Sequence, residues 1–259
     1  MARIVRRLLS PVYKLYERKL ERQIRKTSVP HHLAVIMDGN RRYADSLGIP
    51  SHEGHKMGKG SLENLSDWCR GLGIHHLTVY AFSLENFNRS DEELSHLMDL
   101  FEESFKNAGD DPRVHKHKIR VRAIGHRNLL PERVIDAINY AESRTKDYDN
   151  FNYNIAVAYG GRQEIVRSMK RIAREIELGT LKSEEIDADL ISANLYTSDI
   201  PDPDLILRSS GEERISNFLL WQLAYSEFYF TDVFWPEIRK IDLLRAIRSY
   251  QKRRRRIGR

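Results

Sequence analysis

The sequence predicts an α/β fold: a single domain with a mostly parallel central sheet of about six strands, flanked by helices on both faces. Three observations carry this reading. Strand-like segments alternate with helix-like ones, most strands are continuously apolar, and the connections are long enough to cross over the sheet. No internal repeat, low-complexity tract or linker interrupts the 259 residues. Residues 1–28 read as a basic amphipathic helical region and residues 29–259 as one domain.

In residues 3–26, Ile4, Val5, Leu8, Leu9, Val12, Leu15, Tyr16, Leu20 and Ile24 recur at helical spacing with Arg and Lys between them. Pro11 is expected to break this helix into a short piece and a longer one. Two readings stand open: the helix lies on an anionic membrane surface, or it packs on the domain with its basic face solvated. After Val29-Pro30, the strand Leu33-Ala34-Val35-Ile36-Met37 ends on Asp38-Gly39-Asn40, and Arg41-Arg42-Tyr43-Ala44 turns helical. Residues 48–55 are rich in turn formers and read as a loop, with a helix over 56–72. Residues 76–82 are β-branched and aromatic, the mark of a strand. A polar cluster over 83–89 follows. Ser90 is a candidate N-cap with Glu93 completing a capping box, and the helix it opens carries Leu94, Leu97, Met98, Phe101 and Phe105 on one side. Strands are expected at 119–125, 153–159, 204–208 and 227–230. Helices are expected at 131–145, 163–178, 186–195 and 217–225, with one more at the C-terminal end before the basic run 253–256.

Hydrophobic residues at 41% and charged residues at 31% describe a soluble globular chain, and no apolar run approaches the length of a membrane span. The N-terminus mixes apolar and basic residues and does not read as a secretory signal. A single cysteine, Cys69, excludes an intramolecular disulfide framework and suits a reducing compartment, so a cytoplasmic location is expected. Zinc is not expected, because no Cys/His cluster has ligand spacing and neighbours such as His31-His32 and His75-His76 point to different faces. The net charge of +6 favours anionic partners.

In a parallel α/β sheet, ligands bind at the carboxyl ends of the strands. Asp38-Gly39-Asn40-Arg41-Arg42 stands at the first such end. Ser83, Glu85, Asn86 and Arg89 stand at the second. Gly160-Gly161-Arg162 and then Arg208 with Arg214 and Ser216 occupy later ones. Unpaired N–H groups at a helix start, the helix dipole and forked guanidinium groups suit phosphate. Five arginines on one rim exceed what one phosphate needs, which points to two polyanionic groups held side by side. Asp38 is placed to hold a hard cation such as Mg²⁺ against them. The sequence has no Gly-x-x-x-x-Gly-Lys-Ser/Thr loop, and no Gly-x-Gly-x-x-Gly follows the first strand.

These residues carry a family resemblance. His32-Leu33-Ala34-Val35-Ile36-Met37-Asp38-Gly39-Asn40-Arg41-Arg42-Tyr43-Ala44 resembles the opening motif of the cis-prenyltransferases, the undecaprenyl and dehydrodolichyl diphosphate synthases. The resemblance continues through Gly54-His55-Lys56, the Tyr80–Arg89 block, Asn154-Ile155-Ala156-Val157-Ala158-Tyr159-Gly160-Gly161-Arg162, the Asp204–Arg208 strand, residues 211–222 and Glu227-Phe228-Tyr229-Phe230-Thr231-Asp232. The blocks run in the family's order over residues 31–258.

The resemblance implies elongation of an allylic diphosphate (geranylgeranyl or farnesyl) with isopentenyl diphosphate to a long cis-polyprenyl diphosphate, precursor of a glycan lipid carrier. It implies a Mg²⁺-dependent homodimer. A nucleic-acid partner is not expected, because the basic ends are not interleaved with aromatics in the pattern of a binding groove. Gly39, Asn40, Arg41, Arg42 and Arg89 would hold the allylic diphosphate, and Arg208, Arg214 and Ser216 the isopentenyl diphosphate. Tyr43, His55, Ser83, Leu84, Glu85, Phe87 and Ile215 would complete the substrate site. Arg256 and Gly258 match an Arg-x-Gly tail that closes over the partner's site. Asp38 and Glu227 would share Mg²⁺, Glu227 reaching in from the neighbouring subunit. Asn86 matches a proposed proton-transfer position, but an amide is a poor base. It is expected to orient substrate while a diphosphate oxygen takes the proton. Phe151 matches a position that floors the chain tunnel, and the Leu94–Phe105 face is a candidate wall.

Two departures stand out. Ser51 replaces an arginine of the bacterial motif while Arg41 replaces its glycine, so Arg41 is expected to compensate. Tyr43 and Phe87 replace tryptophans. A non-catalytic partner subunit would lack much of Asp38–Arg42, which is complete here. The all-helical trans-prenyltransferases carry paired Asp-Asp-x-x-Asp motifs, whereas Asp110-Asp111-Pro112-Arg113-Val114 lacks the last carboxylate.

Overall fold

The computed structural model describes residues 2–253, with side chains from residue 13 onward. Its strands are β1 (His32–Ile36), β2 (His76–Tyr80), β3 (Ile119–Ile124), β4 (Phe151–Ala156), β5 (Leu205–Arg208) and β6 (Glu227–Phe230). They form one sheet in the order β3-β4-β2-β1-β5-β6. Every pairing is parallel, so the sheet is wholly rather than mostly parallel and all carboxyl ends share one edge. The helices are α1 (Ala2–Ile24), α2 (Asn40–Leu47), α3 (Ser51–Leu72), α4 (Asp91–Asp110), α5 (Pro112–Lys116), α6 (Glu132–Thr145), α7 (Gly161–Glu177), α8 (Ala188–Ala193) and α9 (Lys240–Lys252).

Continuous apolar strands are buried on both faces, as their sequences require. Leu33, Val35, Leu77, Val79, Leu205 and Leu207 enter one core with Leu20, Leu65, Phe105, Ile138 and Leu244 from α1, α3, α4, α6 and α9. Ala34, Ile36, Tyr80, Ala156 and Ile206 enter the other with Tyr159, Phe218, Leu219 and Leu223. Cys69 is fully buried in the first core, and burial pushes its thiol pKa up.

The second half of α1 packs on the domain. Leu20 and Ile24 are buried, Lys240 of α9 donates to Glu21 at 2.7 Å, and Leu15 stays exposed. The helix runs unbroken through Pro11, contrary to expectation, since a proline removes a single intrahelical bond from a helix of 23 residues. The side chains of Ile4, Val5, Leu8, Leu9 and Val12 lie outside the described residues.

Two further expectations are corrected. The turn formers of residues 48–55 include the first turns of α3, which begins at Ser51 rather than at residue 56. Gly54 and Gly58 serve close approach: a Cβ on either would meet the Asn40 carbonyl oxygen or Oδ1 at 2.3 Å. Residues 217–225 form turns, not a helix. Ser216, Asn217 and Leu219 all have positive φ (48°, 64° and 45°), which no right-handed helix accommodates. The segment's carbonyl and amide groups serve α7 instead. Asn217 accepts from the N–H of Gly161 through its backbone oxygen at 2.7 Å and from the N–H of Arg162 through Oδ1 at 2.9 Å.

At the opposite, amino edge of the sheet the two histidine pairs meet across β1 and β2. The His31 ring lies 5.1 Å from that of His75 and 4.8 Å from that of His76. No group of three His, Cys, Asp or Glu among the described residues is arranged to hold a metal ion.

Candidate active site

The carboxyl edge opens into a cleft of about 580 Å³. Its lining includes Asp38, Asn40, His55, Ser83, Glu85, Asn86, Arg89, Arg208, Arg214 and Ser216. Asp38 follows β1, whose last residue pairs in register with Arg208 of β5. Its backbone is pinned by Ser209, whose hydroxyl accepts from the Asp38 N–H at 2.9 Å and donates to the Asp38 carbonyl at 2.6 Å. The Asp38 carboxylate accepts from Arg208 at 2.8 Å and from Arg42 at 3.1 Å. Partial burial pushes its pKa up. The two guanidinium groups outweigh that and hold it below the usual aspartate range.

Arg208 is nearly fully buried and also donates to the Ser216 hydroxyl at 2.9 Å and to the Arg214 carbonyl. Gly39 caps α2 with φ of 99°, and a Cβ there would meet the Phe234 ring at 2.7 Å. The start of α2 therefore faces the cleft edge with N–H groups that no side chain caps.

Two carboxylates gather the arginines. Glu93, on the first turn of α4, lies 2.8 Å from Arg89, 3.8 Å from Arg41 and 3.4 Å from His55 Nε2. Glu212 lies 3.2 Å from Arg42 and also contacts Arg214. The capping box expected at Ser90 forms in one direction. Ser90 accepts from the Glu93 N–H at 3.4 Å, while the Glu93 side chain turns to the cations. Burial, then the nearby Arg89 charge, lowers the His55 pKa, so its imidazole is neutral at neutral pH.

Ser83 to Arg89 cap and form a short 3₁₀ helix (Leu84–Asn88). Asn86, which lines the cleft, accepts at Oδ1 from the Ser83 N–H at 3.0 Å. Glu85 accepts from Asn217 Nδ2 at 3.2 Å.

Not every predicted residue reaches the cleft. Phe87 lies edge-on against Phe82 at 4.9 Å and Tyr43 faces Phe234 at 6.4 Å; both are half-buried and packed on an aromatic neighbour rather than lining the cleft. Leu84 and Ile215 pack against the two cores. Arg41 and Arg42 sit on the rim, tied to Glu93 and Glu212. Glu227 begins β6, at the amino edge, and pairs there with Arg253 at 2.5 Å. One chain therefore does not bring Glu227 to Asp38. Arg256 and Gly258 lie outside the described residues. Sequence reasoning missed Glu93 and Glu212 as arginine partners. Glu93 stands four residues after Arg89 on a helix face, and that spacing is a readable signal.

Below the cleft, an apolar cavity of about 200 Å³ runs between α3, α4 and the sheet. Met37, Asn40, His55, Ala81 and Leu97 line both spaces, so the two adjoin. Leu97, Phe101 and Phe105 form its α4 wall; Leu94 and Met98 are not among its lining residues, and neither is Phe151.

The undecaprenyl diphosphate synthase family model matches residues 36–258. The chain belongs to the cis-prenyltransferase family. This cis-prenyltransferase is 54% identical over 255 residues to a tritrans,polycis-undecaprenyl-diphosphate synthase (geranylgeranyl-diphosphate specific) of Methanopyrus kandleri, covering 98% of this chain and 94% of that one. It is 52% identical over 251 residues to the enzyme of the same description from Methanocaldococcus jannaschii, covering 96% and 90%. The structure of lavandulyl diphosphate synthase from Lavandula x intermedia in complex with dimethylallyl diphosphate superposes with a TM-score of 0.84 at 39% identity, covering 87% of this chain and 97% of that one. A cis-prenyltransferase joins prenyl diphosphates, and arginines around a cleft that adjoins an apolar cavity suit that chemistry.

Proposed function

We propose that this enzyme adds isopentenyl diphosphate repeatedly to geranylgeranyl diphosphate, placing each new double bond cis, and releases a long polyprenyl diphosphate of the undecaprenyl class. One observation carries the reading: Arg89, Arg208 and Arg214 line one cleft, Arg41 and Arg42 stand on its rim, and an apolar cavity adjoins it. The geranylgeranyl starter rests on the descriptions of the archaeal relatives.

In this reading Gly39, Asn40, Arg41, Arg42 and Arg89, with the start of α2, take the allylic diphosphate, and its hydrocarbon enters the cavity past Met37 and Leu97. Arg208, Arg214 and Ser216 take isopentenyl diphosphate. The allylic C–O bond breaks, the isopentenyl double bond attacks the allylic carbon, and a proton leaves to set the new double bond. The arginines stabilise negative charge as it develops on the departing diphosphate. Asn86, whose oxygen is committed to Ser83, donates rather than accepts, so it orients substrate and a diphosphate oxygen takes the proton.

An ionised, part-exposed carboxylate at a phosphate site fits Mg²⁺, which takes one or two protein carboxylates together with substrate phosphates. Asp38 would hold it. When bound, Mg²⁺ supplies positive charge for the leaving diphosphate. Glu227 reaches the ion only from a second subunit, so we assign the active form as a homodimer. Exposed Val166 and Met169 of α7 and Tyr225 support such a contact. None of the described helices is long and apolar enough to cross a membrane. The basic N-terminal helix is assigned a peripheral contact with an anionic membrane surface, and a cytoplasmic location goes with that.

The test is incubation with radiolabelled isopentenyl diphosphate and either geranylgeranyl or farnesyl diphosphate, followed by product chromatography. Labelled long-chain product, made faster from the geranylgeranyl starter, is expected. Absence of label from the lipid fraction overturns the assignment.

A further inference from the structure

Tyr80 ends β2 and is buried, its place in the sheet fixed by register with Ile36 of β1 and Ala156 of β4. Its ring stacks on Phe218 at 4.6 Å and 10°, and meets Tyr159 edge-on at 6.0 Å. The phenol is thereby held against the cleft, which Tyr80 helps to line. Burial, then the nearby Glu85 carboxylate, pushes its pKa up, so the phenol keeps its proton.

A tyrosine hydroxyl has one proton to give, and two backbone oxygens lie 3.2 Å from this one, those of Tyr159 and Ser216. The Tyr159 carbonyl already accepts from the Leu84 N–H at 3.0 Å. Among the described residues, only Tyr80 donates to the Ser216 carbonyl. The Ser83 hydroxyl also bonds to the phenol, yet Ser83 is held independently, by its N–H to Asn86 and by its bridge to Tyr159. Ser216 is the partner that depends on Tyr80.

Ser216 needs such a hold. Ser216 and Asn217 have φ of 48° and 64°, a region that residues with a Cβ enter at a cost. Such a turn keeps one conformation only where its surroundings fix it. The Ser216 hydroxyl accepts from Arg208 at 2.9 Å, which leaves its own proton to donate to an anion in the cleft.

We propose that Tyr80 is a positioning residue for isopentenyl diphosphate: by donating to the Ser216 carbonyl, it holds the turn in the conformation that aims the Ser216 hydroxyl at the diphosphate. The inference rests on the assignment of Ser216 to that substrate above. Ring and hydroxyl have separate tasks, since the ring packs on Phe218 and the hydroxyl sets the turn.

The experiment is Tyr80→Phe, which removes one oxygen and keeps the stacked ring. Initial rates with geranylgeranyl diphosphate and radiolabelled isopentenyl diphosphate give KM for each substrate, with the melting temperature measured alongside. KM for isopentenyl diphosphate is expected to rise about tenfold, the size of one hydrogen bond to a charged group, with KM for geranylgeranyl diphosphate unchanged. A tyrosine that only supports the fold would lower the melting temperature and leave both KM values in place. That result, or an equal rise in both, overturns the inference alone. Ser216→Ala and the double variant complete a cycle. Once the Ser216 hydroxyl is gone, adding Tyr80→Phe should raise KM no further, and effects that multiply overturn the inference. Ser216→Ala with an unchanged KM for isopentenyl diphosphate overturns the assignment of Ser216 and this inference with it.

Discussion

The Asp38 carboxylate receives a hydrogen bond from Arg208 at 2.8 Å, and that arginine is only 3% exposed. The pair exists because Ile36 and Arg208 are register partners in β1 and β5, so Asp38, two residues beyond β1, meets the last residue of β5. Arg208 is thus held ready for a substrate anion by a carboxylate that itself faces the cleft. Asp38 has two tasks: it neutralises a buried cation, and it presents negative charge where a metal ion would stand.

Asp38→Ala should therefore fail twice. Turnover is expected to fall about 10²- to 10³-fold, the size of one preorganised electrostatic contact. Stability should fall by about 3 kcal/mol, since Arg208 is left buried without its partner. Steady-state kinetics and urea denaturation read the two losses separately. EDTA should abolish turnover of the wild type without moving its denaturation midpoint. Retained turnover in either case removes Asp38 from the site.

Gly58→Ala tests how α2 and α3 are joined. On helix propensity alone alanine gains about 1 kcal/mol. Here its Cβ would meet Asn40 Oδ1 at 2.3 Å and the Trp235 ring at 3.0 Å. Overpacking of that kind costs about 1–3 kcal/mol, so a net loss of stability is expected. Because Asn40 lines both the cleft and the cavity, KM for the allylic substrate should rise as well. A stabilised variant with unchanged KM would show that α3 simply moves aside.

The same glycines mark the limit of what could be read from the sequence. The parallel sheet and its strand-end residues were legible because parallel strands are apolar throughout and stop on polar motifs, as Asp38 and Arg208 do. Gly54 read as a turn former and Gly58 as an ordinary helix position, because the reason for both glycines lies in Asn40, on the other helix. Residues 217–225 have helical composition, but positive φ at Ser216, Asn217 and Leu219 is imposed by capping α7. Tyr43 and Phe87 sit inside site motifs, yet each turns to an aromatic partner that spacing does not reveal.

Arg41→Gly addresses the residue that stands where the bacterial motif has glycine. Arg41 is 58% exposed and lies 3.8 Å from Glu93, a weak contact by surface standards, so the melting temperature should fall only by what a glycine costs in α2, about 1 kcal/mol at most. Losing one charged hydrogen-bonding partner of a phosphate should raise KM for the allylic diphosphate about tenfold, with KM for isopentenyl diphosphate unaffected. Equal effects on both substrates, or none, would mean that Arg41 serves neither pocket selectively.

Acid should loosen the fold from the edge opposite the cleft. His32 is buried, donates through Nδ1 to the Pro201 carbonyl at 2.6 Å and meets the Thr78 hydroxyl through Nε2 at 2.8 Å. Burial lowers its pKa from 6.5 to about 4, against the opposing pull of the Pro201 carbonyl. Burial, then the neighbouring His31 and His75, brings His76 to about 4 as well. In the unfolded chain both titrate near 6.5, so between pH 6.5 and 4 the unfolded state binds more protons than the folded one. Their contribution is complete above pH 6.5 and is lost as pH falls towards 4, reaching about 3 kcal/mol for His32. Carboxylates titrate lower, so a decline between pH 7.5 and 5 belongs to histidines, these two and the others whose pKa burial lowers, His55, His117 and His126. Urea midpoints at the two pH values measure it, and His76→Gln should flatten the slope. A midpoint that is equal at pH 7.5 and pH 5 in the wild type would mean that the rings take up protons without opening the sheet edge.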